Sequence, residues 1–531
     1  MAIKGRTALR IGVVLIGLGA LGWKHFQHAP EAIDSTAADS PQPAPAMASS
    51  ASQVPGTGGD TTWKVGTLTF TSCELEQPNS GLSTAAWCAP FEVPENRDDP
   101  ASRKIKLKLA LLRAAAQVPK RDVVVLLAGG PGQAATESWS GVAGALQPLL
   151  AQRNVLLLDQ RGTGGSNPLD CKPPAETAAK HDEGAFDPAK LRDEVTQCLK
   201  QLEGKADPRY YTTTVAAQDL EDVRKALGSP TFDLVGVSYG TRMAQQYAGH
   251  YPQAVRSIVL DGVVPNGLVL GEDFAQNLDA ALKAQFARCA ADNACKQHFG
   301  DPYQTLYQLR DALRANPHEV SFRDPQSYQT VKRTLDEYSL ASVVRMFAYT
   351  PLTSALLPLS IDAAAHGDVG PLLGQAKLLS GDLADTMNGG MQSSVICSED
   401  ADLLTPRPQD AQTILGTRMI DALQAVCSVW PKGTRPADFH QPFKSDKPVL
   451  LFSGQFDPVT PPSYGEDVLK GLSNARHLVL NGQGHNVINT GCAPQLLKRF
   501  IEEVHPKDLD AKCLDRLQAT PMFIDFNGAA P

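Results

Sequence analysis

Residues 231–244, TFDLVGVSYGTRMA, decide the fold of this chain. The apolar run that ends at Val237 predicts a buried strand, and Thr241 to Ala248 continue as a helix. Between them, Gly236-Val237-Ser238-Tyr239-Gly240 matches the pattern G-x-S-x-G. Its glycines permit a sharp strand-to-helix turn that holds the serine hydroxyl exposed. Ser238 is therefore the first candidate catalytic residue, in the role of a nucleophile.

The sequence around this motif predicts a layered α/β fold. The runs from Val123 to Leu127 and from Val155 to Leu158 are apolar throughout, which is typical of parallel strands covered on both faces. A helix is predicted from Gln218 to Leu227, before the serine motif, and a strand from Ser257 to Gly262, after it. This alternation predicts a doubly wound, mostly parallel twisted sheet with helices on both faces.

The N-terminal segments differ in composition from the rest of the chain. Three basic residues precede an apolar run from Ile11 to Trp23, so residues 1–26 are expected to form an export signal or an N-terminal membrane anchor. Signal cleavage and a retained anchor both remain open at this point. Residues 27–62 are rich in Ala, Pro and Ser, which predicts a flexible linker.

The remaining chain divides into a core that is interrupted once. Residues 63–267 are expected to form the first part of the core. Residues 268–440 show helical periodicity without a clear buried strand, which predicts an inserted, mostly helical cap. Strand patterns return at 448–454 and 477–480, so residues 441–531 are expected to complete the core.

The loops after the first two apolar strands are rich in glycine. Their sequences are AGGPGQ and DQRGTGGS, and neither has the Lys-Ser/Thr ending of a phosphate-binding P-loop. Glycine lets a backbone N–H approach a reacting carbonyl closely. We therefore predict that the N–H groups of Gly130 and Tyr239 form an oxyanion hole. Asp159 and Arg161 of the second loop are expected to brace the active-site loops rather than to catalyse.

The strands that return after the cap carry the partners that a serine nucleophile needs. Asp457 follows the first of them and His485 the second, which gives the chain order Ser, Asp, His of α/β-hydrolases. His485 would accept the proton of Ser238, and Asp457 would orient the imidazole. Asp261, at the end of the strand after the serine motif, is an alternative acid.

Composition and motifs exclude several other classes of protein. The net charge of -8 is modest for 531 residues and does not indicate nucleic-acid binding. There is no H-E-x-x-H zinc motif, and the G-x-G-x-x-G match at 17–22 lies inside the apolar N-terminal run. No metal or other cofactor is therefore expected. Membrane contact is expected only through the N-terminal segment, if it is retained.

The ten cysteines are an even number, as expected of a protein that folds in an oxidising compartment. Sequence does not fix their connectivity. Pairing of near neighbours is our hypothesis, and it predicts the disulfides Cys73–Cys88, Cys171–Cys198, Cys289–Cys295, Cys397–Cys427 and Cys492–Cys513.

Taken together, the motifs carry a family resemblance. GGPG at 129–132, DQRGTGGS at 159–166, GVSYGT at 236–241, GQFDPVTP at 454–461 and GQGH at 482–485 resemble those of exported tripeptidyl aminopeptidases. These enzymes are relatives of proline iminopeptidase in the α/β-hydrolase superfamily. The likeness covers most of the chain after Trp63, including a TAP-like C-terminal region. Ala128 and Tyr239 replace the His and Trp that are common in proline iminopeptidases, which favours the tripeptidyl branch.

This resemblance implies a serine exopeptidase, periplasmic or extracellular, that removes short peptides from free N-termini. Such an enzyme must bind an ammonium group, which carboxylates do best. Glu399 and Asp400, in the sequence ICSED, are the candidate amine anchors. Three alternatives remain open: a proline iminopeptidase-like aminopeptidase, a carboxylesterase or amide hydrolase with the same triad, and a non-catalytic binding protein on a hydrolase scaffold.

Overall fold

The structure is a computed structural model that describes residues 61–76, 81–171, 186–325, 327–375, 386–525 and 527–529. The predicted signal or anchor, and the predicted linker up to residue 60, lie outside the described residues. Within them, no helix is both long and apolar enough to cross a membrane.

A ten-stranded sheet dominates the described chain, with the order β1-β2-β3-β4-β6-β5-β7-β8-β11-β12. The strands from β6 to β12 in this order are parallel, whereas β1 to β4 are antiparallel and β4 pairs antiparallel with β6. The strands are β1 Thr62–Val65, β2 Leu68–Glu76, β3 Ser83–Pro94, β4 Lys104–Leu112, β5 Val123–Leu127, β6 Val155–Leu158, β7 Phe232–Val237, β8 Val255–Asp261, β9 His318–Arg323, β10 Thr330–Leu335, β11 Val449–Gly454, β12 Ala475–Leu480, β13 Phe523–Asp525 and β14 Gly528–Ala529.

Helices connect and cover these strands. The α-helices are α1 Ala135–Leu146, α2 Pro188–Leu202, α3 Thr213–Leu227, α4 Tyr239–His250, α5 Phe274–Ala291, α6 Asn293–Phe299, α7 Pro302–Ala315, α8 Glu337–Phe347, α9 Pro351–Ala355, α10 Leu357–Ala365, α11 Gly389–Glu399, α12 Arg418–Cys427, α13 Pro462–Leu469 and α14 Ala493–Glu503. Both core strands predicted from apolar runs, β5 and β6, have the predicted bounds.

The two faces of the sheet bury alternate residues of each central strand, because successive side chains of a strand point to opposite faces. Val124 of β5 belongs to the cluster that contains Trp139 of α1 and Phe500 of α14. Val125 belongs to the cluster on the other face, with Leu220 of α3. Helices thus cover both faces, which explains why β5 is apolar at every position.

The segment between β8 and β11 contains α5 to α12 and has a hydrophobic cluster of its own, which includes Leu282, Leu306 and Phe347. Two of its details are not specified by the sequence prediction. Residues 274–299 of this segment form two helices and not one continuous helix, because the Asp292 carboxylate accepts a hydrogen bond from the Cys295 N–H and begins α6. An antiparallel hairpin, β9–β10, lies within the segment that is predicted to be mostly helical.

The ten cysteines form five disulfides in the pairs that the near-neighbour hypothesis predicts. Disulfides of this number form and persist in oxidising compartments. They therefore indicate that the chain matures outside the reducing cytosol.

Candidate active site

Ser238 lies at the turn between β7 and α4. Its backbone has φ 54° and ψ -123°, a conformation that L-residues rarely adopt. The turn is tight because its neighbours are glycines. A Cβ on Gly236 would come within 2.5 Å of the Gly240 carbonyl oxygen, and one on Gly240 would collide with the Leu127 carbonyl oxygen at the end of β5. Only this spacing of glycines lets the serine project from the strand end.

His485 and Asp457 meet Ser238 although 247 positions separate the serine from the histidine. His485 Nε2 lies 3.1 Å from Ser238 Oγ, and His485 Nδ1 lies 2.7 Å from Asp457 Oδ2. The loops after β7, β11 and β12 thus bring the three predicted side chains into one chain of hydrogen bonds. All three are nearly buried, with Ser238 3% exposed.

Asp457 is held as a hydrogen-bond acceptor by its own loop. Its Oδ1 accepts from the Val459 N–H at 2.9 Å and from the Thr460 N–H at 2.8 Å. Thr460 Oγ1 donates to Oδ2 at 2.8 Å and lies 3.1 Å from His485 Nδ1. These donors stabilise the ionised carboxylate and fix its direction toward the imidazole.

Asp261, the alternative acid, has a structural role. Its carboxylate accepts hydrogen bonds from the N–H groups of Val487 at 2.9 Å and Ile488 at 3.2 Å, in the loop that follows His485. Burial raises the pKa of Asp261 to about 6. It therefore holds the histidine loop against the end of β8, whereas Asp457 contacts the imidazole itself.

The predicted oxyanion donors lie on neighbouring pieces of backbone. Tyr239 is the first residue of α4, so its N–H has no acceptor inside the helix. The loop after β5, which carries Gly130, is pressed against the same turn through the contact between Gly240 and Leu127. The direction of the Gly130 and Tyr239 N–H groups toward a substrate oxygen stays a prediction.

Asp159 and Arg161 are bound into the scaffold. Asp159 accepts hydrogen bonds from the Thr136 N–H at 2.9 Å and the Gly165 N–H at 3.1 Å, and burial raises its pKa. Arg161 is fully buried and forms a bidentate ion pair with Asp219 of α3. Its Nε donates to Asp219 Oδ2 at 2.6 Å, and its Nη2 donates to Oδ1 at 2.7 Å. Both residues hold the loop after β6 in place.

Glu399 and Asp400, the predicted amine anchors, are buried and bonded to other residues of the protein. Glu399 accepts hydrogen bonds from the Thr213 N–H at 2.6 Å and the Thr213 hydroxyl at 2.8 Å. Burial and the neighbouring Asp400 raise the pKa of Glu399 to about 8. Asp400 pairs with Arg242 of α4 at 2.9 Å, and neither side chain is exposed to solvent. These contacts join the segment between β8 and β11 to the core, and the binding of a substrate amine by Glu399 and Asp400 stays a prediction.

Sequence reasoning did not identify three residues that support the site. Thr460 binds Asp457, Arg242 binds Asp400, and the Tyr349 carbonyl oxygen accepts the N–H of His485 at 2.8 Å. A threonine three positions after the acid is a signal that could have been read, because a hydroxyl there can return to an aspartate. Arg242 and Tyr349 have no local signal, since their partners are distant in sequence.

This arrangement can perform nucleophilic catalysis on a carbonyl group. Ser238 Oγ is within hydrogen-bond reach of a base, and the base is oriented by a buried acid, as an activated serine requires. Within the described residues, no group of three or more His, Cys, Asp or Glu side chains is placed to hold a metal ion.

A comparison with known proteins identifies the family to which the chain belongs. A family model described as the alpha/beta hydrolase fold matches residues 122–491, which is more than half of the chain. The chain therefore belongs to the α/β-hydrolase fold family. Within that family it is similar to proteins named as a serine protease, a carboxylesterase and a tripeptidyl aminopeptidase.

Serine protease Hip1 of Mycobacterium tuberculosis (strain ATCC 25618 / H37Rv) is 27% identical over 489 residues, covering 84% of this chain and 90% of the relative. Carboxylesterase B of the same strain is 27% identical over 454 residues, covering 80% and 85%. Tripeptidyl aminopeptidase of Streptomyces lividans is 28% identical over 196 residues, 33% of this chain and 35% of the relative. Among solved structures, proline iminopeptidase of Mycobacterium smegmatis is 16% identical with a TM-score of 0.37, covering 78% of this chain and 99% of that one.

Proposed function

We propose that this protein is an exported serine exopeptidase that releases short peptides, in particular tripeptides, from substrates with a free N-terminus. The observation that carries the proposal is the hydrogen-bonded chain from Ser238 Oγ through His485 to Asp457, at 3.1 and 2.7 Å. The names of two relatives, a serine protease and a tripeptidyl aminopeptidase, support peptides as the substrate class.

The chemistry follows from the positions of these atoms. Ser238 Oγ attacks the scissile carbonyl carbon while His485 Nε2 takes the hydroxyl proton. The negative charge on the carbonyl oxygen is stabilised by the N–H groups of Gly130 and Tyr239, and each such donor contributes about 3 kcal/mol. His485 then protonates the leaving amine, and the C–N bond breaks. Water attacks the remaining ester in the same way and frees the short peptide together with Ser238.

The enclosure of the site favours a chain end as the substrate. Ser238 is 3% exposed and His485 is 7% exposed. Tyr349, which belongs to the segment between β8 and β11, contacts His485 through its carbonyl oxygen and places its ring edge-on to the imidazole, with 5.5 Å between ring centroids. A cap over the triad admits a peptide terminus more readily than the middle of a folded chain.

A second candidate function is hydrolysis of small carboxylic esters. Carboxylesterase B covers a similar share of this chain at the same 27% identity as the serine protease, and the triad chemistry is common to both reactions. Substrate preference therefore has to be measured.

The test is digestion of a defined peptide with and without an N-terminal acetyl group, followed by mass spectrometry of the products. We expect successive tripeptides from the free peptide and no products from the blocked one. Ser238→Ala is the control for activity from contaminants. Cleavage of both substrates at internal bonds would contradict an exopeptidase, and hydrolysis of p-nitrophenyl acetate without any peptide cleavage would favour the esterase.

A further inference from the structure

Helix α5, in the segment between β8 and β11, begins beside the loop that carries Asp457. Asp273 immediately precedes α5, and Asn277 lies in its first turn, where its N–H donates to the Asp273 carbonyl oxygen at 2.9 Å. Residues four positions apart lie on one face of a helix. Both side chains contact the hydroxyl group of Tyr464, at the start of α13 in the core. The beginning of α5 thus packs against the core at the acid loop of the triad.

The side-chain amide of Asn277 binds two groups of the core. Its Nδ2 donates to the Val459 carbonyl oxygen at 3.1 Å and to the Tyr464 hydroxyl oxygen at 2.9 Å. Tyr464 in turn donates its hydroxyl proton to Asp273 Oδ2 at 2.9 Å. Because a carbonyl oxygen only accepts, and the hydroxyl proton is already used, both bonds need the amide nitrogen at this position. The orientation of the Asn277 amide is thereby fixed.

The bond to the Val459 carbonyl oxygen reaches the acid of the triad through a single peptide group. The C=O of Val459 and the N–H of Thr460 belong to the same planar peptide unit. The carbonyl oxygen accepts from Asn277, and the N–H donates to Asp457 Oδ1 at 2.8 Å. Hydrogen bonds in such a series polarise one another, so a donor at the carbonyl oxygen strengthens the N–H as a donor. Asn277 thus acts on Asp457 without touching it.

The peptide unit between Val459 and Thr460 is shielded from water. Val459 is 2% exposed and Thr460 is 1% exposed. Hydrogen bonds are electrostatically stronger in such surroundings than in water, and a carbonyl oxygen that loses its partner there is costly. The contact with Asn277 therefore has a larger effect on this peptide than the same contact would have at the surface.

The other end of the series is anchored by an ion pair. Arg407 Nη1 donates to Asp273 Oδ1 at 2.6 Å, while Asp273 Oδ2 accepts from Tyr464. Burial and the neighbouring Asp273 raise the pKa of the Tyr464 hydroxyl group, which therefore keeps its proton and acts as the donor. The Tyr464 oxygen is then free to accept from Asn277. A continuous series of hydrogen bonds thus runs from Arg407 to the triad.

We propose that Asn277 is a positioning residue of the catalytic triad. Its amide holds the peptide between Val459 and Thr460 in the orientation in which the Thr460 N–H binds Asp457. Asp457 in turn orients the imidazole of His485. The inserted segment therefore contributes to the triad as well as covering it. This inference rests on the triad chemistry of the function proposed above, but not on the choice between peptide and ester substrates.

The test exchanges Asn277 for leucine, which has a branched side chain of similar length and no hydrogen-bond donor. Asn277→Leu should lower kcat about tenfold for both p-nitrophenyl acetate and Ala-Ala-Ala p-nitroanilide, because both reactions use the same triad. KM should stay within twofold, since the amide acts on the acid and not on the substrate. Tyr464→Phe removes one of the two acceptors that orient the amide and should lower kcat about threefold. In an Asp457→Ala background, Asn277→Leu should change kcat less than twofold, because the acceptor at the end of the series is gone.

Gln276→Leu is the matched control, because it removes the amide of the neighbouring residue on α5. Gln276 Nε2 donates to Asp410 Oδ1 at 2.8 Å, a contact inside the same segment, so this variant should keep the wild-type kcat. Thermal melting of each variant shows whether it is folded.

The outcomes separate this inference from the proposed function. If folded Asn277→Leu or Tyr464→Phe keeps the wild-type kcat, or if Asn277→Leu lowers kcat equally in the Asp457→Ala background, the positioning role is overturned and the exopeptidase stands. If the wild-type protein hydrolyses only the ester, the exopeptidase falls, and the kcat of Asn277→Leu on the ester still decides the positioning role. If it hydrolyses neither substrate, both proposals fall.

Discussion

Two hydrogen-bonded chains of serine, histidine and acid lie within the residues that the structure describes, and of these two only the one at Ser238 has the surroundings of an active site. In the first, Ser238 Oγ lies 3.1 Å from His485 Nε2, and His485 Nδ1 lies 2.7 Å from Asp457. In the second, Ser453 Oγ lies 2.9 Å from His477 Nε2, and His477 Nδ1 lies 2.6 Å from Glu466. Side-chain geometry alone does not tell them apart.

The first difference between the two chains is the backbone conformation at the serine. Ser238 has a positive φ at the point where β7 becomes α4, so the N–H of the next residue is not used by the helix. Ser453 is inside β11, where it pairs in register with Val479 of β12. A serine within a paired strand has its neighbouring N–H groups committed to the sheet, so they are not available to a developing oxyanion.

The acids make the second difference. The Asp457 side chain is 0% exposed and accepts three hydrogen bonds from its own loop, whereas the Glu466 side chain is 56% exposed. A carboxylate in water stabilises an imidazolium much less than a buried one does. His477 agrees with this interpretation, since burial lowers its pKa even though Glu466 is adjacent. An active triad therefore depends on what surrounds the three side chains.

The largest expected effect comes from exchanging each serine for alanine. Ser238→Ala should lower kcat about a million-fold, because the nucleophile is lost. Ser453→Ala should change kcat less than twofold. Hydrolysis of a peptide anilide measures both, and labelling by a fluorophosphonate probe should disappear only in the first variant. Equal losses in the two variants would contradict the assignment of Ser238.

Substitutions of the two acids, Asp457 and Glu466, should differ nearly as much in their effect on kcat. Asp457→Asn should lower kcat about ten-thousand-fold, because an amide favours the wrong imidazole tautomer. Glu466→Gln is the matched variant of the second chain and should leave kcat and KM unchanged. If Asp457→Asn keeps most of the activity, another acid, such as Asp261, supports the histidine.

The buried Glu399 and the exposed Glu466 should also differ in how they affect stability. Because the pKa of Glu399 is about 8 in the folded protein, above the ordinary value, the stability it contributes below pH 5 is lost as the pH rises through 8. Glu399→Gln removes this titration, so its Tm relative to wild type should rise by several degrees between pH 5 and pH 8. Glu466→Gln should show no such trend. A constant difference for Glu399→Gln would mean that this carboxyl is already ionised at pH 5.

The smallest effect is expected from Ser453, whose hydrogen bond to His477 should contribute to stability and not to catalysis. Ser453→Ala leaves His477 Nε2 without its donor and should lower the free energy of unfolding by about 1 kcal/mol. Urea denaturation at neutral pH measures this difference. Ser453→Thr, which keeps the hydroxyl, serves as the control for the hydrogen bond. A loss of activity at full stability would show that Ser453 takes part in the reaction after all.

Some parts of the molecule were predictable from sequence because their signals are local. The run from Val123 to Leu127 predicts β5 because a strand covered on both faces must be apolar throughout. The serine motif likewise specifies its own turn. The contacts of Glu399 and Asp400 were not predictable from the sequence. The side chain that pairs with Asp400 is Arg242, which is 158 positions away along the chain. The hairpin β9–β10 is short and mostly exposed, and each of its strands buries one apolar side chain, Phe322 and Leu335, so its apolar alternation is too brief to distinguish it from the helices around it.

The connectivity of the disulfides has a consequence for biosynthesis. Each cysteine is joined to the next one along the chain, 6 to 30 residues away. When a chain with this connectivity enters an oxidising compartment with its N-terminus first, every cysteine can pair with its correct partner before the next cysteine is exposed. An oxidase that joins successive thiols therefore forms the correct five disulfides. Rearrangement of wrong pairs by a disulfide isomerase is then not required.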